Sequence, residues 1–564
     1  MQGAIPQLFR RVPPRIATAL LTLLAFVPVA FIGFDVVAAS RNIVYWDEFD
    51  TVLDLLLTLD AGVGFREFFE RIFAINNEHR MITSRLLFAG SWWLTGTVDF
   101  RVIGAIGNFF LVVLCLTLVA SAQTTFRRLR LGVILACLMF QLGHHENFFW
   151  SGASIDHFQV VALAVGAFAL IARGTGGALI AAAFLAALAT FTLAHGLVTW
   201  GVGAFMLWRA QRKPAFRVWI IAAGSTCVAF LQGFEINAGH PLASTDAAGA
   251  LHVFHYWLSL VGAPVALGHL AAAPYAGLLL LAVFGWLLLQ GAWRNERILL
   301  PVVLFCIAAL GMIAIGRSEV AGGQLQSRYF VLSALAWSGV IFVAIESIGE
   351  TRRMVRFVTI GIPLLAAFNI AANVRFAPAV ESFIEGRDDA ALRFKQRGHL
   401  AGSTFRLYPI PERAQRILDE AARRGIYWVP RMCDRTTIDE ATPSSRIAYH
   451  VDEMTAGDGA TYLSGWAAIP DRKSERGEIH LVFRSATSNL VFTTVSMSRP
   501  DVAAAHSPDW RLSGFRFAVG RWRLPPEELQ VGIMITDGDH AEYVMTEHRL
   551  RLNGRGEALL ANSQ

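Results

Sequence analysis

The chain has 564 residues, of which 54% are hydrophobic and 16% charged, and its mean hydropathy is +0.47. That composition excludes both an ordinary soluble domain and a disordered chain. The formal charge of +6 does not point to nucleic acid, because the Lys and Arg residues are scattered in short stretches between apolar runs and form no single patch.

At the N-terminus a basic stretch (Arg10, Arg11, Arg15) precedes a long apolar run without a convincing small-residue cleavage site, and this reads as an uncleaved first transmembrane helix. Apolar runs of spanning length recur to about Val374 and then stop. About eleven helices are predicted, at roughly 16–38, 100–121, 131–143, 155–172, 176–192, 197–208, 218–235, 273–293, 298–315, 329–347 and 357–374. The basic clusters Arg127/Arg128/Arg130, Arg209/Arg212/Lys213/Arg217, Arg294/Arg297 and Arg352/Arg353/Arg356 then share the side of the N-terminus, and an odd count sends the C-terminus to the other side. The short pair within 176–208 and the apolar stretch 249–270 are the segments that would change the count. Of five cysteines, Cys115, Cys137, Cys227 and Cys306 fall in apolar runs and Cys433 stands alone, so there is neither a disulfide framework nor a CxxC pair.

The first external loop carries Tyr45-Trp46-Asp47-Glu48-Phe49-Asp50, then two stretches with apolar residues at helical spacing, Thr51–Leu59 and Phe65–Phe73, and finally Asn76-Asn77-Glu78-His79-Arg80. The two stretches are predicted to lie in the membrane interface, which sets the acidic group at headgroup level. Carboxylates there suit proton abstraction from a hydroxyl, or holding a divalent cation against phosphate. The same residues also suit the first turn of a helix, where acidic groups stabilise the dipole without chemistry.

An acidic pair directly after the first transmembrane helix, followed by in-plane helices, resembles the GT-C superfamily of integral-membrane glycosyltransferases over residues 1 to about 375. The resemblance implies a polytopic α-helical membrane protein in which Asp47 is the catalytic base and Glu48 the second member of the pair. A later loop, Gly316 to Tyr329, looks like the arginine-containing loop of bacterial members of that superfamily. Its Arg317, Arg328 and Tyr329 are candidate ligands of a donor phosphate, since a guanidinium pairs with phosphate oxygens at two points. Arginines at a membrane boundary also snorkel without any ligand. The resemblance further implies a polyprenyl-phosphate sugar donor, a cell-envelope glycan, lipid or protein acceptor, and residence in a bacterial inner membrane. The N-terminus would be cytoplasmic and the C-terminal domain periplasmic.

His144, His145 and Glu146, with Asp156 and His157 close behind, form another external group. Adjacent histidines do not share a helix face and the spacing matches no metal motif, so His144, His145 and Glu146 are predicted to contact sugar or acceptor and no metal site is assigned, although a divalent cation elsewhere stays open. His79, Arg80 and the isolated His195 are predicted to line the same cavity.

Residues 1–375 are thus predicted as the membrane domain, 376–445 as a helical connector and 446–564 as a soluble β-sandwich. The connector is helical over about 378–424, interrupted at Tyr408-Pro409-Ile410-Pro411. The sandwich is read from short alternating runs at 462–468, 478–484, 490–496, 514–519, 530–536 and 541–546. Trp466, Trp510 and Trp522 in it suit either sugar stacking or the core. Two other functions fit the architecture: a lipid-linked oligosaccharide ligase or polymerase, which the acidic first loop disfavours, and a lipid-linked glycan transporter, which needs polar groups along the spans.

Overall fold

A bilayer offers backbone N–H and C=O groups no water, so the apolar part of this chain can only be helical. The computed structural model describes residues 14–234, 246–319, 324–348, 357–397, 407–427, 429, 438, 441–457, 460–474, 478–486, 489–520, 524–525, 527–537, 540–552 and 558–561. Arg10, Arg11, Gly322, Gly323, the cluster Arg352/Arg353/Arg356, Cys433 and Trp522 lie outside the described residues. The chain divides into two units, one of residues 1–384 with 420–427 and one of residues 385–419 with 428–564. The connector predicted at 376–445 is therefore shared between the units, and 420–427 belongs with the helices.

Among the described residues seven helices are long and apolar enough to cross a membrane: Leu21–Ala39, Phe100–Ser121, Ser151–Arg173, Lys213–Leu231, Leu299–Arg317, Ser327–Glu346 and Phe357–Asp388. Shorter helices lie between them in sequence, Thr125–Met139, Gly176–Thr192, Val198–Arg209 and Ala273–Leu289. Phe26, Phe34, Leu116, Ile221 and Leu289 remain exposed, as side chains that meet hydrocarbon should.

Polar contacts gather at the helix ends. At one end Arg127 bonds Glu346 at 2.9 Å and also Glu296, while Arg130 reaches Glu346 at 2.5 Å. Toward the other end helix Thr125–Met139 stops and leaves carbonyls without an intrahelical partner. Asn369 Nδ2 donates to the carbonyls of Cys137 and Phe140, each at 2.9 Å, and Asn373 Oδ1 accepts the Leu142 N–H at 2.9 Å.

The stretch predicted with most ambiguity, 249–270, forms helix Ala247–Gly262. It starts beside Ser318, where His252 Nε2 approaches the Ser318 carbonyl at 3.2 Å, and by Val261 it has reached only Trp337, near the middle of helix Ser327–Glu346. The chain then turns and enters Ala273–Leu289, whose Ala273 and Gly277 crowd Gly262. This helix enters the bundle partway and turns back.

The two in-plane stretches of the first loop differ from each other. Leu53, Leu55, Leu56, Leu57 and Leu59 are buried, so the first packs into the protein and does not face lipid. The second, Phe65–Ile72, keeps Phe65 81% exposed and Phe69 42% exposed, the surface an interfacial helix presents. Spacing alone does not distinguish a helix buried by protein from one buried by lipid.

In the second unit the strands are β1 (Thr442–Pro443), β2 (Ala448–Gly457), β3 (Ala460–Ala468), β4 (Glu478–Arg484), β5 (Asn489–Thr493), β6 (Val495–Met497), β7 (Gly514–Gly520), β8 (Glu528–Asp537), β9 (His540–Leu552) and β10 (Ala558–Ala561). One sheet runs β1-β9-β8-β4-β5 with β10 on β9, and the other runs β2-β3-β7-β6. Leu463 and Phe517 of the second sheet share a core with Leu481, Phe483, Val531 and Ile533 of the first. The run predicted at 490–496 is two strands, because Thr494 bonds the Ile479 carbonyl through both its N–H and its hydroxyl and the chain changes sheets there. Trp510 is buried, with Trp466 and His506 packed on it at ring-centroid distances of 5.9 and 5.3 Å, so it is a small core and not an open platform.

Replacing Asn369 with Leu would orphan two buried carbonyls. A loss of about 1–3 kcal/mol per lost bond is expected, read as a lower unfolding midpoint in detergent, whereas Leu at the lipid-facing Ile370 should change it little.

Candidate functional site

A cavity opens where four separate segments meet at one end of the helical unit. The first segment follows the opening helix. Trp46 adopts a left-handed backbone (φ 47°), which turns the chain sharply, and a helix then begins with a π-helical stretch, Phe49–Leu53. The Asp47 carbonyl accepts the Thr51 N–H at 2.8 Å and the Thr51 hydroxyl at 2.7 Å, so the residue opens the helix through its backbone while it lines the cavity. The helix start at Glu48 has no side-chain cap.

The neighbouring Glu48 is differently placed. It is only 1% exposed, its Oε2 accepts the Tyr45 N–H at 2.8 Å, and its Oε1 accepts the Gly152 N–H at 2.7 Å together with the Ser151 hydroxyl. Those last donors belong to the first turn of helix Ser151–Arg173, where a carboxylate also meets the positive end of the helix dipole. Glu48 therefore clamps the first loop to that helix, and its oxygens are engaged by the fold. Both members of the acidic pair line the cavity, but Glu48 also serves as an anchor with its oxygens bonded by the fold.

The second segment is the turn before helix Ile82–Thr95. Asn76 and His79 exchange backbone hydrogen bonds of 2.8 and 3.0 Å, and Asn77 (φ 52°) and Met81 (φ 50°) are both left-handed. Non-glycine residues rarely adopt that conformation, and here three of them, with Trp46, flank the cavity. The turn is held from behind by arginines that satisfy its carbonyls. Arg80 donates to Phe73, Phe230 and Gln232, and Arg85 to Ile72, Ala74 and Arg80. Arg80, predicted to contact substrate, is thus turned away from the cavity and braces the loop.

His79 does line the cavity. Its Nδ1 accepts the Ala194 N–H at 3.2 Å, which leaves Nε2 as the protonated nitrogen of the neutral ring. Shielding from bulk water, with Arg317 and His195 nearby, lowers its pKa to about 3. The ring is a neutral hydrogen-bond donor at physiological pH.

The third segment is the head of helix Ser151–Arg173, whose turn Ser154–Phe158 is π-helical and brings Asp156 and His157 to the cavity. Asp156 is 3% exposed, and its Oδ1 has no hydrogen-bond partner among the described residues. The close approach of this helix to Phe100–Ser121 depends on Gly107, where a Cβ would lie 2.4 Å from the Ser154 hydroxyl oxygen. His195 is buried behind His157, rings 6.3 Å apart and nearly parallel, and burial lowers its pKa to about 4.

The fourth segment brings the arginines. Arg317, at the end of helix Leu299–Arg317, pairs with Glu78 at 2.7 Å. Arg328 opens the next helix, 3.3 Å from Glu146 and 5.8 Å above the Trp150 ring. Glu146 also accepts the Arg328 N–H at 3.0 Å and the Ser327 hydroxyl at 2.9 Å, and although burial opposes ionisation, Arg328, His145 and these bonds hold its pKa below the ordinary value. Glu146 is accordingly the partner that orients Arg328.

Of the residues predicted from sequence, Asp47, Glu48, His79, Arg317, Arg328 and Tyr329 line the one cavity. His144 and His145 do not. His144 is fully buried against the Leu138 carbonyl and Gln141, each 3.1 Å from Nε2, and burial lowers its pKa to about 4. His145 stands between Phe376 and Phe383. Asp156 and His157, noted in the sequence just behind the His144–Glu146 group but given no role there, line the cavity, as do Asn77 and Trp150. The available signal was an ionisable pair inside an apolar helix. Among the described residues no group of three His, Cys, Asp or Glu side chains is arranged to hold a metal ion.

The class defined by this fold is a helical membrane protein with a strand-built C-terminal unit. Comparison with known proteins adds no relative: the chain matches no family model, no curated protein and no solved structure.

Two outcomes follow from the site. Glu48→Gln presents an N–H to oxygens or nitrogens that donate, so it should lower the thermal unfolding midpoint clearly, while Asp47→Asn should leave it nearly unchanged. His79 is held neutral in the fold, so the unfolded chain takes up its proton first as pH falls below about 6.5, and stability should decline from there toward pH 3. A pH series of unfolding midpoints should show this decline, and His79→Gln should make it shallower while the other buried histidines, His144 and His195, keep part of it.

Proposed function

We propose that the protein is a glycosyltransferase of GT-C type, which moves a sugar from a polyprenyl-phosphate donor to a hydroxyl of a cell-envelope glycan, lipid or protein. The observation that carries this reading is one cavity in which the carboxylates Asp47 and Asp156 face the guanidinium groups Arg317 and Arg328. In the proposed reaction the acceptor hydroxyl gives its proton to Asp47 and its oxygen attacks the anomeric carbon. The bond from that carbon to the donor phosphate breaks, and the lipid phosphate leaves with the electron pair, its charge met by Arg317 and Arg328. His79 Nε2–H and Asn77 are donors suited to sugar hydroxyls, and Trp150 offers a face on which Arg328 already rests.

Membrane topology supports the same reading. Residues 40–52, 77–84, 142–157, 193–195, 317–319 and 324–329 meet at the cavity end, while Arg127, Arg130, Glu296 and Glu346 meet at the other. Eleven passes join these ends if Ala247–Gly262 does not cross, and the basic residues Arg127, Arg130, Arg209, Arg212 and Arg294 lie opposite the cavity. By the positive-inside rule this arrangement supports a periplasmic cavity. The last pass runs past His145 (Phe376) and Tyr45 (Phe383), so its later residues lie at the cavity end of the helical unit. Among the described residues charge gathers at the two ends and not along a path through the bundle, which favours transfer over transport.

Asp47→Asn should keep the fold and cut transfer by about 10²–10⁴, measured as loss of product from a purified protein with a polyprenyl-phosphate sugar. Wild-type turnover in that variant, with loss in Asp156→Asn, would move the base to Asp156. Arg317→Ala should raise the donor concentration required, and Lys there should restore only part of it, since a point charge lacks the two-point contact. A reporter at Gln564 should be active only outside the cytoplasm.

A further inference from the structure

Opposite the cavity, three turns between helices converge on a second recess, with about 1140 Å³ of empty volume. Arg209 and Arg212 come from the turn between Val198–Arg209 and Lys213–Leu231, and Arg294 and Arg297 from the turn before Leu299–Arg317. Arg209 donates to the Arg294 carbonyl at 3.0 Å and Arg212 to the Gly174 carbonyl, so backbone contacts gather the side chains around one opening. Among the described residues no carboxylate lies within ion-pair distance of any of the four, and the acid between two of them in sequence, Glu296, is taken by Arg127. The inner Nη1 of Arg212 is buried without a hydrogen-bond partner.

With no carboxylate partner among the described residues, these four guanidinium groups repel one another around one recess, and an anion there relieves the repulsion. The rest of the lining is apolar, with Phe205, Met206, Leu207 and Ile171 beneath the arginines. Trp208 (62% exposed) and Trp286 (55% exposed) stand within a turn or two of Arg209 and Arg294 on the outer surface, as aromatic residues do at headgroup level. We propose that this recess binds the phosphate headgroup of an anionic membrane lipid, with an acyl chain along the apolar lining. A free phosphate would use the arginines but leave that lining unused. The site is independent of the sugar-transfer reading, because it shares no residue with the cavity.

The test is native mass spectrometry of the full-length protein in detergent, titrated separately with phosphatidylglycerol, phosphatidylcholine and inorganic phosphate. Phosphatidylglycerol should remain bound at least about tenfold more tightly than phosphatidylcholine, and millimolar inorganic phosphate should not displace it. Arg294→Gln with Arg297→Gln should lower phosphatidylglycerol affinity by about tenfold or more, with size-exclusion elution and unfolding midpoint near wild type. Arg294→Lys with Arg297→Lys should retain part of it. Equal retention of the two lipids by the wild-type protein overturns the proposal whether or not any variant folds. So does displacement by inorganic phosphate, or unchanged affinity in the folded Gln variant.

Discussion

The carboxylate of Glu48, buried and bonded by Tyr45, Ser151 and Gly152, joins the first loop to the first turn of helix Ser151–Arg173. A buried carboxylate is stable only where donors surround it, and here they come from two segments over a hundred residues apart. That contact sets Asp47 opposite Asp156, because each lies within a few residues of the clamp. The π-helical turns Phe49–Leu53 and Ser154–Phe158, one on each side, adjust how the following side chains project. Residues 420–427 close the same loop from outside, with the Tyr427 hydroxyl donating to Asn42 and accepting from Val44.

The same economy governs the other ionisable groups. Arg80 and Arg85 saturate carbonyls, Arg127 and Arg130 lock Glu346, and Asn369 caps a broken helix. Polar side chains in a membrane fold are costly unless paired, so most of them are structural, and those left facing a cavity stand out. Arg317 and Arg328 combine both conditions. Each is oriented by a carboxylate, Glu78 or Glu146, yet each still lines the cavity, and that arrangement holds a guanidinium ready for an anion at little cost in side-chain ordering.

The two recesses at opposite ends of the helical unit differ in how their arginines are treated. In the cavity the positive charges are paired with carboxylates and set among hydroxyl, amide and imidazole groups, a polar surface suited to a sugar phosphate. In the opposite recess they have no carboxylate partner among the described residues and lie over apolar side chains, a surface suited to a lipid. Residue type is the same in both; the neighbours decide the chemistry.

Apolar run length determined that the chain is helical in its first part, and period-two runs determined that it ends in strands, since both signals are local and survive without tertiary contacts. The acidic first loop and the late arginines were also legible, because charge beside a membrane span is conspicuous wherever it folds. Tertiary structure alone made Glu48 an anchor and turned Arg80, His144 and His145 away from the cavity while bringing in Asp156, His157 and Asn77. It also made Ala247–Gly262 turn back partway, and passed one predicted strand between two sheets at Thr494. The reason is the same in each case. Which hydrogen-bond partner a buried polar group finds depends on segments distant in sequence, and periodicity carries no information about them.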